Sequence, residues 1–303
     1  MLPEEPTVGV RAVDTAVDWM ALPVGYPLQE YRIERVLGGG GFGITYLARD
    51  TLLDMDVAIK EYLPSELASR APDLSVAARP GESGVAFRQG LERFLDESRV
   101  LATFRHPHIV RVNRYFAANA TAYMVMDYAR GQSLKQWVDT WGRPDHAQLL
   151  SIVRPLLEGL EVIHATGFLH RDIKPANITM RPDEGPVLLD FGAARRWTSG
   201  HSLTTIVTPG FAPLEQYHSH GNQGPWSDLY SMAAVMYWLV SGNKPVEAAA
   251  RVREDPLVPA TRAGDARLYG MSLLRAIDWA LDPDETRRPR SVGDFRRAFL
   301  AGG

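Results

Sequence analysis

Two short polar strings carry the groups that phosphoryl transfer requires. The first is His170-Arg171-Asp172-Ile173-Lys174-Pro175-Ala176-Asn177, and the second is Asp190-Phe191-Gly192. Such a transfer needs a carboxylate to orient the attacking hydroxyl, a carboxylate and an amide oxygen to hold Mg²⁺, and a cation near the transferring group. Asp172, Asp190, Asn177 and Lys174 supply these groups in that order. A chance polar loop rarely contains all four, so the combination predicts phosphoryl-transfer chemistry.

A glycine-rich string upstream could cradle a phosphate. Gly38-Gly39-Gly40-Gly41-Phe42-Gly43 stands between two alternating stretches, Tyr31–Leu37 and Ile44–Ala48, which predict a β-hairpin. Glycines let the backbone approach phosphate oxygens closely, although the string alone is equally typical of a flexible turn. A dinucleotide fold is disfavoured, because that motif is followed by a helix. Lys60 ends a third apolar strand, 57–60, from which it could reach the same phosphates, although taken alone it is more typical of an ordinary lysine at the end of a strand.

The elements that must position these groups fall into two regions. From Tyr31 the chain is strand-rich, with further strands expected over Ile109 to Phe116 and Tyr123 to Met126 and one helix over roughly 86–104. Residues 61–84 contain several Pro and Gly residues and are expected to form a loop. After Gly131 the pattern becomes helical, with helices expected over 149–163, bent at Pro155, and over 227–241, 269–281 and 291–300. This contrast predicts two lobes with a boundary near Asp127–Gly131.

The composition excludes several classes of protein. The 303 residues are 45% hydrophobic and 23% charged, with a formal net charge of −3, which is typical of a globular protein and not of a non-specific nucleic-acid binder. Cysteine is absent, so disulfides, thiolate catalysis and Cys-ligated metals are excluded. The longest apolar stretch, about Leu229 to Val240, is too short to cross a bilayer, and no secretory signal is visible. The expected compartment is therefore the cytoplasm.

In combination and in this order, the motifs resemble those of the eukaryotic-like (Hanks-type) Ser/Thr protein kinases, in particular their bacterial branch. The resemblance covers about Tyr31 to Leu300. It implies an α+β, bilobal protein-kinase fold, with a small lobe made of an antiparallel five-stranded β-sheet and one main helix, a larger helical lobe, and ATP in the cleft between them. The implied domains are an N-terminal lead-in over 1–28, the N-lobe over 29–128 and the C-lobe over 129–303. The N-lobe would contain an insertion at about 61–86.

The resemblance also implies an ATP site. Lys60 would contact the α/β-phosphates and pair with Glu97, whose distance from His106-Pro107-His108-Ile109-Val110 fits the family better than that of Glu92. Thr45 and Thr179 replace aliphatic residues of the family and imply a more polar pocket. Met126 would be the gatekeeper, and the backbone of Asp127 and Ala129 would bond to adenine. The full implied set of ATP-binding residues is Gly38, Gly40, Gly43, Thr45, Ala58, Lys60, Glu97, Met126, Asp127, Ala129 and Thr179.

The same resemblance assigns the catalytic and structural roles. Asp172 would be the catalytic base and Lys174 the γ-phosphate contact, which also favours a Ser/Thr acceptor. Asn177 and Asp190 would hold Mg²⁺ or Mn²⁺. Three structural residues complete the pattern. Glu215 and Arg288 would form an ion pair in the large lobe, and Asp228 would cap the backbone of the catalytic loop.

An activation segment is implied between Asp190 and Glu215. Its end resembles the string Thr208 to Glu215, although Val207 and Leu214 replace the usual glycine and proline. A phosphate on this segment would meet Arg171, assisted by Arg195 or Arg196, and order the loop. The candidate phosphorylation sites are Ser199, Ser202, Thr204 and Thr205.

The resulting hypothesis is an ATP-dependent protein Ser/Thr kinase that phosphorylates its own activation segment. Protein substrates are the implied partners, with phosphothreonine-binding modules and a metal-dependent phosphatase suggested by family analogy, and neither nucleic acid nor a membrane segment is expected. A nucleotide-binding pseudokinase scaffold is one alternative, but Lys60, Asp172, Asn177 and Asp190 are all intact. A small-molecule phosphotransferase is the other, and it would lack the segment that ends at Glu215.

Overall fold

The computed structural model describes residues 20–191, 195–196, 207–218 and 221–300. These form two compact units. The first contains the described residues up to Ser98 together with Asn113–Tyr128, and the second contains Arg99–Val112 and the described residues from Ala129 onward. None of the described helices is both long and apolar enough to cross a membrane.

The first unit is built on a six-stranded sheet. Its strands are β1 (Pro27–Leu28), β2 (Tyr31–Gly40), β3 (Gly43–Asp50), β4 (Met55–Tyr62), β7 (Val112–Ala118) and β8 (Thr121–Asp127), in the spatial order β1-β2-β3-β4-β8-β7. The expected five strands therefore gain the short β1, which pairs with Tyr31 and Arg32. The strand expected from Ile109 begins only at Val112, because Ile109 forms an isolated bridge with Leu188 in the second unit.

Residues 61–84 are more regular than the loop that their composition predicts. Strand β4 runs on to Tyr62, and a small antiparallel hairpin follows, made of β5 (Ala68–Arg70) and β6 (Val76–Ala78). The prolines lie outside these strands, so they interrupt no ladder of hydrogen bonds. Helix α1 then covers Glu82–Leu101, four residues earlier at its start than the predicted 86–104. Its Phe87 and Phe94 pack on Tyr62, with ring centroids 5.3 and 5.6 Å apart.

The second unit is mainly helical. Its helices are α2 (Leu134–Trp141), α3 (His146–Ala165), α4 (Pro225–Ser241), α5 (Ala260–Ala263), α6 (Ala266–Tyr269), α7 (Met271–Ala280) and α8 (Val292–Leu300). Ser133 and Asp145 begin α2 and α3 with capping boxes, in which Gln136 and Gln148 complete the reciprocal bonds. Helix α4 is buried around almost its whole circumference, which explains its nearly continuous apolar sequence.

Short strands fix the ends of the loop that carries the first polar string. Strand β10 (Phe168–Leu169) pairs with β13 (Arg195–Arg196), while β11 (Ile178–Arg181) lies between β9 (Gln132–Ser133) and β12 (Gly185–Leu188). The loop 170–177 therefore leaves β10 and enters β11 through a single 3₁₀ turn at Pro175–Asn177. Asp190 follows β12 after one intervening residue, Leu189, which brings the second polar string to the same sheet edge.

Candidate active site

Two side chains of the loop 170–177 bond to the carboxylate of a third, Asp172. Lys174 Nζ donates to both carboxylate oxygens of Asp172, at 3.0 and 2.8 Å. Asn177 Nδ2 donates to Asp172 Oδ2 at 2.8 Å and to the Asp172 backbone carbonyl at 2.9 Å. The carboxylate is about one-fifth exposed, so these charge-assisted contacts orient it while leaving it accessible.

Thr208 joins this cluster from a distant part of the chain. Its hydroxyl donates to Asp172 Oδ1 at 3.0 Å and receives a bond from Lys174 Nζ at 3.2 Å. A tight turn holds the residue, because the amides of Phe211 and Ala212 both donate to the Thr208 carbonyl. Thr208 was placed in the activation segment by sequence, but nothing local in the sequence identified its hydroxyl as part of the site.

A buried carboxylate holds the backbone at the start of the same loop. Asp228, in the first turn of α4, accepts the backbone N–H of His170 at 2.9 Å and of Arg171 at 2.8 Å. His164 Nε2 lies 2.8 Å from the same carboxylate. Burial alone would raise the pKa of Asp228, but the hydrogen bond and charge of His164 outweigh it and the pKa lies below its usual value. Burial lowers the pKa of His170, so its ring stays neutral near pH 7.

The second polar string is fixed by backbone and ring contacts. The ring of His170 bonds to the Leu189 carbonyl at 2.9 Å and packs on Phe191, with centroids 4.6 Å apart. The Leu189 amide donates to the Asn177 carbonyl at 2.8 Å. Arg171 and Asp190 both have positive φ, at 69° and 60°, a strained conformation that clusters at functional sites. Asp190 is thus held in one backbone conformation next to the loop that carries Asp172.

Glu215 and Arg288 form a buried ion pair in the second unit. Arg288 Nη1 lies 2.8 Å from Glu215 Oε1, which also accepts the Ser227 hydroxyl at 2.7 Å. Arg288 donates further to the carbonyls of Asp282 and Pro283 and lies 4.6 Å above the Tyr230 ring. Because these contacts satisfy a guanidinium that is fully buried, the pair fixes residues 214–216 to the helical core.

The glycine string forms the β2–β3 hairpin. Gly38 pairs with Thr45, and Gly40 pairs with Gly43. A Cβ atom at Gly38 or Gly40 would meet nothing within 4 Å, so packing inside the unit does not require glycine at either position. At Gly43, in contrast, a Cβ would lie 1.9 Å from the Glu61 carbonyl oxygen, and φ is +151°. Open space above two glycines is what a ligand approaching the backbone needs.

Four of the predicted ATP-binding residues of the first unit share one sheet face, and these are Thr45, Ala58, Lys60 and Met126. Lys60 pairs with Thr45 and Met124, and Ala58 pairs with Met126, so their alternation places all of them on the same side. Lys60 is buried. On α1, Glu97 is half-buried and Glu92 is exposed, which favours Glu97 as the partner of the lysine. That pairing stays a prediction.

The other predicted residues fall in several places. Asp127 ends β8, with its side chain bonded to Asn113 at 2.6 Å, so only its backbone could serve a ligand. Thr179 is buried in the second unit, where it pairs with Ser133 and Val187. Ala129 also belongs to that unit. The predicted phosphorylation sites lie outside the described residues, and these are Ser199, Ser202, Thr204 and Thr205.

The donor atoms near the loop suit a hard divalent cation. Among the residues that the structure describes, no group of three or more His, Asp or Glu side chains could hold a metal alone. Mg²⁺ instead uses one or two carboxylates and completes its shell with phosphates and water. Asp190 offers a carboxylate, and Asn177 offers its amide oxygen because its amide nitrogen is bonded to Asp172. The residues present therefore fit Mg²⁺ or Mn²⁺ bound together with a nucleotide.

The fold and the cluster around Asp172 define a protein kinase catalytic domain. The protein kinase domain model matches residues 31–256, and this chain belongs to that family. It is 33% identical over 247 residues to serine/threonine-protein kinase PknB of Mycobacterium leprae. This alignment covers 77% of this chain and 37% of the relative. It is also 31% identical over 287 residues to serine/threonine-protein kinase pkn2 of Myxococcus xanthus. That alignment covers 89% of this chain and 32% of the relative.

A solved structure gives the same result. The structure described as PpkA-294 apo form matches with a TM-score of 0.79 and 36% identity, covering 92% of this chain and 99% of that one. The α+β kinase fold and the resemblance to bacterial Ser/Thr kinases are therefore confirmed. Members of this family use ATP and a divalent cation. The chain spans about a third of the length of the curated relatives, 37% and 32% in these two cases.

Proposed function

We propose that this chain transfers the γ-phosphate of ATP to Ser and Thr hydroxyls of proteins. The observation that carries the proposal is the bonding around Asp172, whose carboxylate is oriented by Lys174, Asn177 and Thr208 together. The relatives' names as serine/threonine-protein kinases support the same activity.

Asp172 is the catalytic base in this proposal. Its carboxylate is bonded by three side chains and is still about one-fifth exposed, so an acceptor hydroxyl can reach it. As the hydroxyl oxygen bonds to the γ-phosphorus, its proton passes to Asp172 and the bond from that phosphorus to the β–γ bridging oxygen breaks, which releases ADP. Lys174 keeps its ammonium group beside the carboxylate, where it also stabilises negative charge on the transferring phosphoryl group.

The binding of ATP is assigned to the residues predicted from the sequence. The backbone of Gly38, Gly40 and Gly43 would cover the phosphates, Lys60 would contact them, and Glu97 would orient Lys60. The backbone of Asp127 and Ala129 would bond to adenine, and the side chains beside the base would be Thr45, Ala58, Met126 and Thr179. Asn177 and Asp190 would hold Mg²⁺ or Mn²⁺, which neutralises charge on the phosphates.

Regulation and partners follow from the same hypothesis. Phosphorylation of the segment that contains Ser199, Ser202, Thr204 and Thr205 would bring its phosphate to Arg171 and order the segment. Phosphothreonine-binding modules and a metal-dependent phosphatase are the proposed partners besides the protein substrates. A cytoplasmic location stays a prediction.

The identity of the phosphorylated product tests the proposed function. The protein is incubated with γ-labelled ATP, Mg²⁺ and a mixture of unrelated proteins, and labelled residues are identified by mass spectrometry. We expect phosphoserine and phosphothreonine, at least about a hundredfold slower labelling with Asp172→Asn, and unchanged labelling with Asp183→Asn, an exposed carboxylate in the β11–β12 turn. Nucleotide binding without any protein label would favour a scaffold, and label confined to small molecules would favour the other phosphotransferase class.

A further inference from the structure

A charged cluster is buried on the sheet face opposite Lys60. Glu61 follows Lys60 in β4, so strand alternation turns its side chain to the other side, where it is fully buried. Tyr123 donates to Glu61 Oε1 at 2.7 Å, and Tyr46 donates to Glu61 Oε2 at 2.7 Å. Arg70 of β5 forms an ion pair with the same Oε2. We call Tyr46, Glu61, Arg70 and Tyr123 the Glu61 cluster.

Arg70 connects this cluster to two further segments. Its side chain is 3% exposed, and it donates from Nε to the Met20 carbonyl at 2.6 Å and from Nη1 to the Leu74 carbonyl at 2.9 Å. The amide of Leu22 donates to the Tyr46 hydroxyl at 3.1 Å. One arginine thus ties the β5–β6 hairpin and residues 20–22 to the strand that bears Lys60.

The Glu61 cluster contains buried charges, although an apolar cluster would have a lower desolvation cost. Burying two charges has a large desolvation cost, and well-packed apolar residues of similar volume often give equal or greater stability. Burial and the negative charge of Glu61 both raise the pKa of Tyr46 and of Tyr123, so both phenols stay protonated donors. The donors therefore fix the orientation of the Glu61 carboxylate, and we take this orientation, rather than added stability, to be the effect of the cluster.

That geometry acts on residues of the proposed phosphate site. Lys60 directly precedes Glu61, and the Glu61 carbonyl oxygen lies so close to Gly43 that no Cβ fits between them. Thr45 pairs with Lys60 in the same ladder. The β5–β6 hairpin has only three residues in each strand, too few to be stable alone, and the Arg70 ion pair joins it to the sheet together with the hydrogen bond from the Val76 amide to the Asn119 carbonyl.

We propose that Arg70 is a positioning residue, which acts through Glu61 to hold Lys60 and Gly43 in the geometry that binds the phosphates of ATP. The β5–β6 hairpin would then serve the phosphate site from the opposite face of the sheet. This inference rests on the proposed function, because it assigns a role within nucleotide binding by the same domain.

Two variants separate positioning from stability. Arg70→Met leaves the Glu61 carboxylate buried without its cation and lowers both thermal stability and nucleotide affinity. The double variant Glu61→Gln/Arg70→Met removes both charges but keeps an amide that can bond both Tyr46 and Tyr123, so it recovers most of the lost melting temperature. Arg79→Met is the control, because Arg79 lies just after the same hairpin but is exposed.

The measurement is the dissociation constant of a fluorescent ADP analogue with Mg²⁺, beside the melting temperature of each variant. If Arg70 positions the site, the dissociation constant rises about tenfold, the equivalent of about 1.4 kcal/mol, in both the single and the double variant. The control keeps the wild-type value. If the cluster is only structural, affinity returns together with melting temperature in the double variant, which overturns the inference.

Failure of the proposed function would look different. A wild-type protein that does not bind the nucleotide at all contradicts the proposed function itself. A wild-type protein that binds it, with unchanged affinity in Arg70→Met, contradicts only the positioning role. Rescue by Arg70→Lys is a further check, and we expect it to be partial, because an ammonium group cannot reproduce the forked contacts to Glu61, Met20 and Leu74.

Discussion

Substitution of Asp228 by Asn is expected to destabilise the catalytic loop strongly. The carboxylate accepts two backbone N–H groups, at 2.9 and 2.8 Å, and lies 2.8 Å from His164 Nε2. Asn keeps one oxygen and turns an NH₂ group toward a donor, so one buried N–H loses its acceptor and the remaining bonds lose their charge. An unsatisfied buried donor costs about 1–3 kcal/mol, and charge-assisted bonds are worth about 1 kcal/mol more than neutral ones.

These two contributions together give a loss of about 3 kcal/mol. For a unit of this size each kcal/mol lowers the melting temperature by about 2–4 °C, so Asp228→Asn should melt about 6–12 °C below the wild type. Calorimetry at pH 7 measures the difference, and Asp183→Asn, in an exposed turn, should change it by less than about 1 °C. A decrease below about 2 °C for Asp228→Asn would refute the role of this carboxylate as the anchor of the loop.

The same pair of proteins has a defined pH dependence. Because the pKa of Asp228 is lowered in the folded state, its contribution is complete above the ordinary Asp pKa of about 3.9 and is lost as the pH falls through the folded value. The difference in melting temperature should therefore shrink as the pH falls below about 4, where the carboxylate becomes protonated. A difference that does not change with pH would contradict this assignment.

Three further substitutions test other parts of the structure. Arg288→Met leaves a buried carboxylate unpaired and should cost about 3–5 kcal/mol in urea denaturation, whereas Arg287→Met, whose side chain is 72% exposed, should cost less than about 0.5 kcal/mol. Thr208→Val removes the hydroxyl between the catalytic carboxylate and Lys174, and kcat should fall about 10–100-fold with an unchanged KM for ATP. Gly43→Ala should unfold the first unit, because its Cβ would lie 1.9 Å from a backbone oxygen, while Gly40→Ala should keep the melting temperature and weaken ATP binding in a nucleotide titration.

The chemistry could be predicted from the sequence where it is encoded locally. Asp172, Lys174 and Asn177 lie within one short string, so their types and spacing already specify the contacts that the structure shows. Alternation likewise placed β2, where only one face of the strand is buried, and an apolar run placed β4, which is buried on both faces. The glycine string could be placed in a hairpin for the same reason.

Contacts between distant segments could not be predicted in this way. Thr208 reaches Asp172 across 36 residues, and His164 reaches Asp228 across 64, so neither partner has a local signal. The β5–β6 hairpin was read as a loop because its prolines and glycines flank strands of only three residues. Arg70, which reaches Glu61 from that hairpin, was for this reason not identified as a structural residue.

The rate of phosphoryl transfer in a single turnover tests the central claim most directly. Wild type and Asp172→Asn are each saturated with γ-labelled ATP, Mg²⁺ and a protein substrate, and both the rate and the nucleotide dissociation constant are measured. Loss of a general base should slow transfer by about 10²–10⁴-fold while the dissociation constant changes less than about twofold. A variant that transfers phosphate at the wild-type rate would contradict the assignment of Asp172 as the catalytic base.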